Sequence, residues 1–163
     1  MSEKSKNPAG GKKEEGLRVP WLLSVEYEYA AGQFATRFFQ ELRDNGRIWG
    51  VRCPGCQRVY IPPRPICGIC AGKTGEWVEV SDEGVIVGCT VVNVPFIDPM
   101  TGEQRPVPYG FAIIRLDGAS TALYHFLEET DPKKLGVGKR VKAVFRPERK
   151  GTLLDIKHFR LLD

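Results

Sequence analysis

Two cysteine pairs constrain this chain more than any other feature. Cys53-Pro54-Gly55-Cys56 and Cys67-Gly68-Ile69-Cys70 are C-x-x-C knuckles with ten residues between them. Two residues between thiolates let both sulfurs reach one metal ion at about 2.3 Å while the backbone turns tightly, and two such knuckles complete a tetrahedral site. Gly55 and Gly68 are expected to ease those turns. With all four ligands supplied by protein, no position stays open for water or substrate, which is the structural rather than the catalytic type of zinc site. A ribbon this short has almost no core of its own, and metal binding in small zinc modules contributes on the order of 10–16 kcal/mol. One structural Zn2+ per chain is expected, with rubredoxin-type iron as the alternative metal. A redox C-x-x-C would be a single pair opening a helix after a strand, unlike two pairs in a Pro/Gly-rich stretch.

Charge around the knuckles is one-sided. Between Asn45 and Gly75 stand Arg47, Arg52, Arg58, Arg64 and Lys73, with no Asp or Glu. Against a Zn2+ with four thiolates, net −2, these five cations leave about +3. Beside Trp49, Tyr60 and the rigid Pro62-Pro63-Arg64-Pro65, that charge suits a phosphate-bearing ligand, an acidic partner surface or plain solvation. Arg64, held between prolines, loses the least entropy on binding. The whole chain is only mildly basic: 24 Lys and Arg against 20 Asp and Glu give +4, too little for a polybasic nucleic-acid wrapper. Its five cysteines are an odd number, and the first 16 residues lack an apolar leader, so the expectation is a reduced, cytoplasmic chain without a disulfide framework. The longest apolar stretch, residues 19–25, falls far short of the roughly 20 residues that a membrane span needs.

Patterning divides the 163 residues into four expected parts. Residues 1–18 read as a disordered tail, having too little apolar surface to offset ordering entropy. Residues 19–46 hold an extended arm and then a helix at 30–44, with Phe34, Phe38 and Leu42 on one face and Asn45-Gly46 as the stop. Whether that face packs on its own domain or on a second chain is open at this point. Residues 47–76 are the zinc ribbon. Residues 77–163 carry strands at 83–93, 110–116, 120–127, 140–146 and 152–161. Gly84 and Gly88 are candidate bulge points, a Pro-rich loop spans 94–109, and Thr130-Asp131-Pro132 starts a short helical turn. Three strands, a short helix and two strands is the order of an OB-fold. The fold class is therefore mainly β: a rubredoxin-like zinc ribbon followed by a five-stranded OB-fold barrel, with an N-terminal helix.

Nothing else assembles an active site. His125 and His158 both fall in strands, away from any recognised nucleophile, and Cys89 sits in an apolar strand as a small core residue. Gly136-Val137-Gly138-Lys139 lacks the length and hydroxyl of a phosphate loop and precedes a strand. On these residues alone the chain is a binding or scaffolding protein.

Several motifs together resemble a known family. They are Tyr27-x-Tyr29-x-x-Gly32, Arg37-Phe38-Phe39, Gly46-Arg47-Ile48-x-Gly50-x-Arg52-Cys53-Pro54-x-Cys56, Tyr60-Ile61-Pro62-Pro63-Arg64-Pro65-x-Cys67-x-x-Cys70 and Glu83-Gly84-x-Ile86. From Tyr27 to Leu161 the chain resembles the zinc-ribbon/OB-fold subunits associated with thiolase-fold acyl-CoA enzymes. Within that family it is similar to zinc-finger subunits of the heteromeric benzoylsuccinyl-CoA thiolases of anaerobic toluene degradation. Its second knuckle departs from the family pattern in having Gly68 where a proline follows the first cysteine.

The resemblance implies a non-catalytic subunit in a hetero-oligomer. A thiolase-fold partner supplies the catalysis, and this chain supports assembly and the binding of a coenzyme A thioester; an acyl-CoA retro-aldolase is the alternative partner. Cys53, Cys56, Cys67 and Cys70 are the expected metal ligands. Arg64, then Arg52 and Trp49, are the expected contacts to coenzyme A or partner, with Phe34, Phe38 and Phe39 as a helix face toward the partner. A rival reading is a single-stranded nucleic-acid module, since aromatics interleaved with Arg stack bases. The low charge and the lack of an obvious aromatic–basic alternation along the barrel strands count against it.

Overall fold

Asn45 and Gly46 end the single long helix of this computed structural model, which describes residues 29–95, 97, 102 and 104–162. The expected tail, the arm at 19–25 and Tyr27 lie outside the described residues. Helix α1 runs Gly32–Asn45. Gly46 adopts the left-handed region that Cβ-bearing residues avoid, at φ +62°. Its N–H donates to Leu42 O at 3.2 Å, and the Arg47 N–H to Glu41 O at 3.3 Å. Arg149 Nε adds a bond to Arg43 O at 2.8 Å.

The cysteine segment builds a three-stranded antiparallel sheet in the order β2-β1-β3, from β1 (Ile48–Arg52), β2 (Val59–Tyr60) and β3 (Glu76–Val80). The next strands close a barrel: β4 (Glu83–Val92), β5 (Tyr109–Leu116), β6 (Leu123–Leu127), β7 (Arg140–Phe145) and β8 (Ile156–Leu161), ordered β4-β5-β6-β8-β7. Strands β6 and β8 pair in parallel and all other neighbours are antiparallel, the Greek-key closure of an OB-fold. The register slips between Ile86 and Gly88, so the extra residue of the bulge is Val87, one place before the expected Gly88. Gly84 and Gly110 meet opposing backbone instead: a Cβ would collide with the carbonyl of Arg115 or of Glu129.

Two sequence expectations are corrected. The short helix after Thr130 is only a hydrogen-bonded turn, in which Asp131 Oδ1 accepts the Lys133 N–H at 2.9 Å and Asp131 O the Lys134 N–H at 3.0 Å. Gly136 and Gly138, the latter at φ +87°, follow too soon for a helix to propagate. The last strand does not begin at 152. Asp155, 2% exposed, accepts N–H groups of Lys150 at 2.8 Å and Gly151 at 2.7 Å, which folds Leu153–Asp155 into a 3₁₀ turn before β8.

One core serves helix, ribbon base and barrel. Phe38 and Leu42 of α1 join Ile48, Val59, Ile61 and Val80 of the ribbon and Ile86, Ile114, Leu116, Val141, Ile156 and Phe159 of the barrel. The helix thus packs on its own domain. A smaller cluster holds Val51, Cys53, Tyr60 and Cys67.

Candidate metal centre

The two knuckles repeat one backbone pattern. Cys53 O accepts the Gln57 N–H at 2.8 Å while the Cys53 N–H donates to Arg58 O at 2.9 Å; Cys67 O accepts the Ala71 N–H at 3.1 Å while the Cys67 N–H donates to Gly72 O at 2.8 Å. The residue after each second cysteine takes the left-handed conformation, Gln57 at φ +59° and Ala71 at φ +54°. The expectation that Gly55 and Gly68 supply the conformational freedom is therefore corrected: the strained position lies one residue past each knuckle and is filled by residues with a Cβ.

The four Sγ atoms lie within 4.8 Å of one another, with Cys53–Cys70 at 3.4 Å and Cys56–Cys67 at 3.5 Å. Tetrahedral zinc–sulfur bonds of about 2.3 Å require sulfurs ~3.8 Å apart, so the cysteines fit the ion. Cys53 and Cys67 are buried, Cys56 half-buried and Cys70 exposed. Bound there, zinc would serve as a cross-link between the two knuckles.

The polar surroundings prepare the thiols unequally. Cys67 is drawn down to about 5, first by the Cys70 backbone N–H and then by the Tyr60 hydroxyl. Cys53 is lowered as well, first by the Cys56 N–H. At Cys70 the Gly72 N–H pulls downward, but the adjacent thiols, Cys53 foremost, outweigh it and push the group up to about 11. The first cysteine of each knuckle is the favoured thiolate. A divalent cation lets all four ionise, with protons released on binding.

Tyr60 is a site residue that sequence reasoning gave no role beyond proximity. Its hydroxyl lies 3.1 Å from Cys67 Sγ and accepts the Gly68 N–H at 3.2 Å. The Cys67 contact heads the causes that raise its own pKa, so the phenol stays protonated and donates to the sulfur. Arg64 lies over the same ring, 4.8 Å from its centroid. Arginine, tyrosine and ligand sulfur thus form one stack at the edge of the metal site. The sequence signal was the spacing of Tyr60 and Arg64 ahead of Cys67.

The other expected contact residues fare differently. Arg52 pairs with Glu76 at 3.2 Å, its cross-strand partner, and Arg47 with Glu79 at 3.4 Å. Both carboxylates lie just past the window that looked purely basic, so the local excess falls from about +3 to about +1. Trp49 and Trp77 flank Arg37, whose guanidinium is 5.7 Å and 4.4 Å from the two rings, and Phe34 stacks on Trp77 at 5.7 Å. Phe38 is 1% exposed in the chain's own core, with Phe39 packed half-buried against that core. The expected partner face at Phe38 is thereby corrected, because an amphipathic stripe in sequence does not say which surface it meets.

His125 is buried inside the barrel, where burial lowers its pKa, and Cys89 is half-buried against the core. The barrel carries aromatic–basic clustering that a strand-by-strand reading does not show. Tyr109, Phe111, Tyr124 and Phe126 occupy outward positions of β5 and β6 in mutual ring contact, and Arg105 stacks on Phe126 at 3.6 Å. No single strand shows the pattern, because two strands and a loop assemble it. Among the described residues no helix is long and apolar enough to cross a membrane.

Comparison with known proteins follows the same two-part division. A family model described as the ChsH2 rubredoxin-like zinc ribbon domain matches residues 40–75, and one described as the ChsH2 C-terminal OB-fold domain matches residues 77–146. A DUF35 domain-containing scaffold protein of Methanocaldococcus jannaschii is 30% identical over 115 residues, covering 70% of this chain and 78% of that protein. One of the same description from Methanothermobacter thermautotrophicus is 29% identical over 115 residues, covering 69% and 82%. A solved DUF35-family protein of unknown function from Sulfolobus solfataricus superposes with a TM-score of 0.53 at 25% identity, covering 77% of this chain and 81% of that one. The Ltp2-ChsH2(DUF35) aldolase superposes with a TM-score of 0.57 at 23% identity, covering 82% and 98%, a likeness of fold.

Proposed function

This chain belongs to the DUF35 family, and from that premise we propose that it is the non-catalytic, zinc-binding subunit of a hetero-oligomeric acyl-CoA enzyme. Its partner is a thiolase-fold subunit that carries the chemistry, and this chain supports assembly of the complex and binding of the coenzyme A thioester. The observation that carries the reading is the closed four-cysteine site in a chain whose relatives are described as scaffold proteins. Four protein ligands leave the metal no position for substrate. The naming of a DUF35 chain within an aldolase supports a catalytic partner, and makes an acyl-CoA retro-aldolase the alternative to a thiolase. A benzoylsuccinyl-CoA thiolase is the specific thiolase proposed.

Arg64 is the first choice for contact with coenzyme A phosphates or with the partner, because its guanidinium already rests on Tyr60 and gives up little freedom on binding. Half-buried Trp49, beside Arg37, comes next. Arg52, already paired with Glu76, and half-buried Phe34 and Phe39 follow. The test is recovery of the tagged chain from its native cell with metal analysis and an acyl-CoA cleavage or condensation assay. A stoichiometric thiolase-fold subunit with one zinc per chain is the expected result, and Arg64→Ala should lower turnover or complex affinity with zinc content unchanged. Recovery of the chain alone, or with nucleic acid, would defeat the reading.

A further inference from the structure

The outer surface of the barrel is divided. Across β7 and β8 the outward positions are mostly polar or charged, among them Arg140, Lys142, Lys157 and Arg160, with Val144 the apolar exception, and Arg140 and Lys142 pair with Asp117, Glu83 and Asp82. Across β4, β5 and β6 they are mostly apolar. The register sets Val92 beside Tyr109, Thr90 beside Phe111 and Phe126, and Gly88 beside Ile113 and Tyr124. Tyr124 is 61% exposed, and Val94 and Ile97 of the adjoining loop are 73% and 66% exposed. An antiparallel sheet that faces water on one side ordinarily alternates apolar-in with polar-out. Here both faces are apolar, which marks a surface that another molecule covers.

Strands of ten, eight and five residues, about 4.8 Å apart, present roughly 350 Å2. Two copies placed face to face would bury about 700 Å2, short of the roughly 1,200 Å2 of a specific interface, and two convex barrel surfaces cannot wrap one another to gain more. Single-stranded nucleic acid would stack on these rings, but among the described residues its phosphates would find only Arg105 and Arg115 along the face. A larger protein with a hollow surface meets both conditions. It reaches past the patch onto the loop, and carboxylates at its rim match Arg105 and Arg115.

We propose that the outer face of β4, β5 and β6 seats the catalytic partner subunit, which meets it with a concave apolar surface flanked by carboxylates. This rests on the subunit reading above and adds the place of contact. The aromatic rings are the anchors, Tyr124 and Phe126 foremost, and Arg105 is held over Phe126 as the charged contact.

The test uses the full chain and the catalytic subunit recovered with it, purified apart and titrated against wild type, Tyr124→Glu, Arg105→Glu and the control Lys157→Glu on β8, outside the proposed face. Zinc content and thermal unfolding are followed throughout. The expected result is at least a 30-fold weaker dissociation constant for Tyr124→Glu, a smaller loss for Arg105→Glu and none for Lys157→Glu, all with wild-type zinc and stability. A catalytic subunit that binds Tyr124→Glu as tightly as wild type would overturn the surface while leaving the subunit reading intact. If wild type recovers no acyl-CoA enzyme, the reading and the surface fall together. A self-association that Tyr124→Glu abolishes, or salt-sensitive binding of a single-stranded oligonucleotide at this face, would replace the partner with a second copy or with nucleic acid.

Discussion

Inside the barrel, Ile114, Val141 and Phe159 lose all contact with water, whereas the buried cluster of the outer ribbon is Val51, Cys53, Tyr60 and Cys67, two of them candidate metal ligands. The barrel is held by apolar area, at about 25 cal/mol per Å2 removed from water. The outer ribbon has too little such area and, in the proposed zinc-bound form, relies on four thiolates converging on one ion. The division does not follow the sheet boundary. Ile48, Val59, Ile61 and Val80 of the ribbon belong to the barrel's core, while Val51 and Tyr60 on the same strands belong to the metal cluster. A single sheet therefore turns one face to the barrel core and the other to the metal cluster.

Removing the metal is the strongest way to break this comparison. Chelation, or Cys67→Ser, should abolish amide protection at Gln57 and Ala71, the left-handed residues that close each knuckle, while amides of β5 and β6 keep theirs. The loss is on the order of the 10 kcal/mol that zinc supplies to small modules, confined to the outer ribbon. Hydrogen exchange resolves the two regions, and global unfolding of the barrel on chelation would refute a boundary inside the sheet. A smaller effect probes the join. Thr121 Oγ1 accepts the Ile61 N–H and donates to Ile61 O, both at 2.8 Å, and Ser120 Oγ accepts the Val59 N–H at 3.1 Å. Thr121→Val leaves two backbone groups unpaired and should cost about 1–3 kcal/mol, seen as ribbon and barrel amides exchanging with separate rather than shared free energies. Coincident exchange in the variant would show that the shared apolar core alone couples them.

Most of this division was legible in the sequence. The knuckle spacing marked the four cysteines that converge, β-branched runs marked β4 and β5, and Asn45-Gly46 marked the helix end, because each depends on chemistry within a few residues. What stayed hidden depends on contacts across the fold. Glu76 and Glu79 neutralise arginines only through the β1–β3 register. The aromatic face comes from side chains on different strands. Asp155 looked like one more polar residue of a strand, yet its buried carboxylate gathers the backbone amides before it. Phe38 shows the same limit, since its period placed it on an apolar face without saying whose core that face enters.

Acid separates the two regions by a different route. Phe126 donates its N–H to His125 Nδ1 at 2.9 Å, so His125 Nε2 carries the proton toward Leu153 O at 3.2 Å and the buried imidazole is neutral. Burial foremost holds the His125 pKa below its ordinary 6.5, with Arg105 and His158 adding to the depression and the Leu153 and Phe126 contacts opposing it. His158 is lowered in the same way, mainly by burial, against the pull of Glu128. In the unfolded chain both rings take up a proton near pH 6.5 and in the fold they resist it, so the unfolded state binds more protons. Stability is therefore full above about pH 6.5 and declines as pH falls toward the lower folded values. The carboxylates with lowered values, such as Glu83, act only near and below their ordinary 4.5, which leaves pH 7 to 5 to the histidines. The ribbon also loosens in acid as its thiolates regain protons, so the readout is exchange at β6 and β8 amides rather than zinc content. His125→Gln, which keeps a donor and an acceptor but does not titrate, should flatten the barrel's pH dependence across that window. An unchanged slope in a double variant that also carries His158→Gln would place the acid sensitivity in the metal site and erase this distinction between the regions.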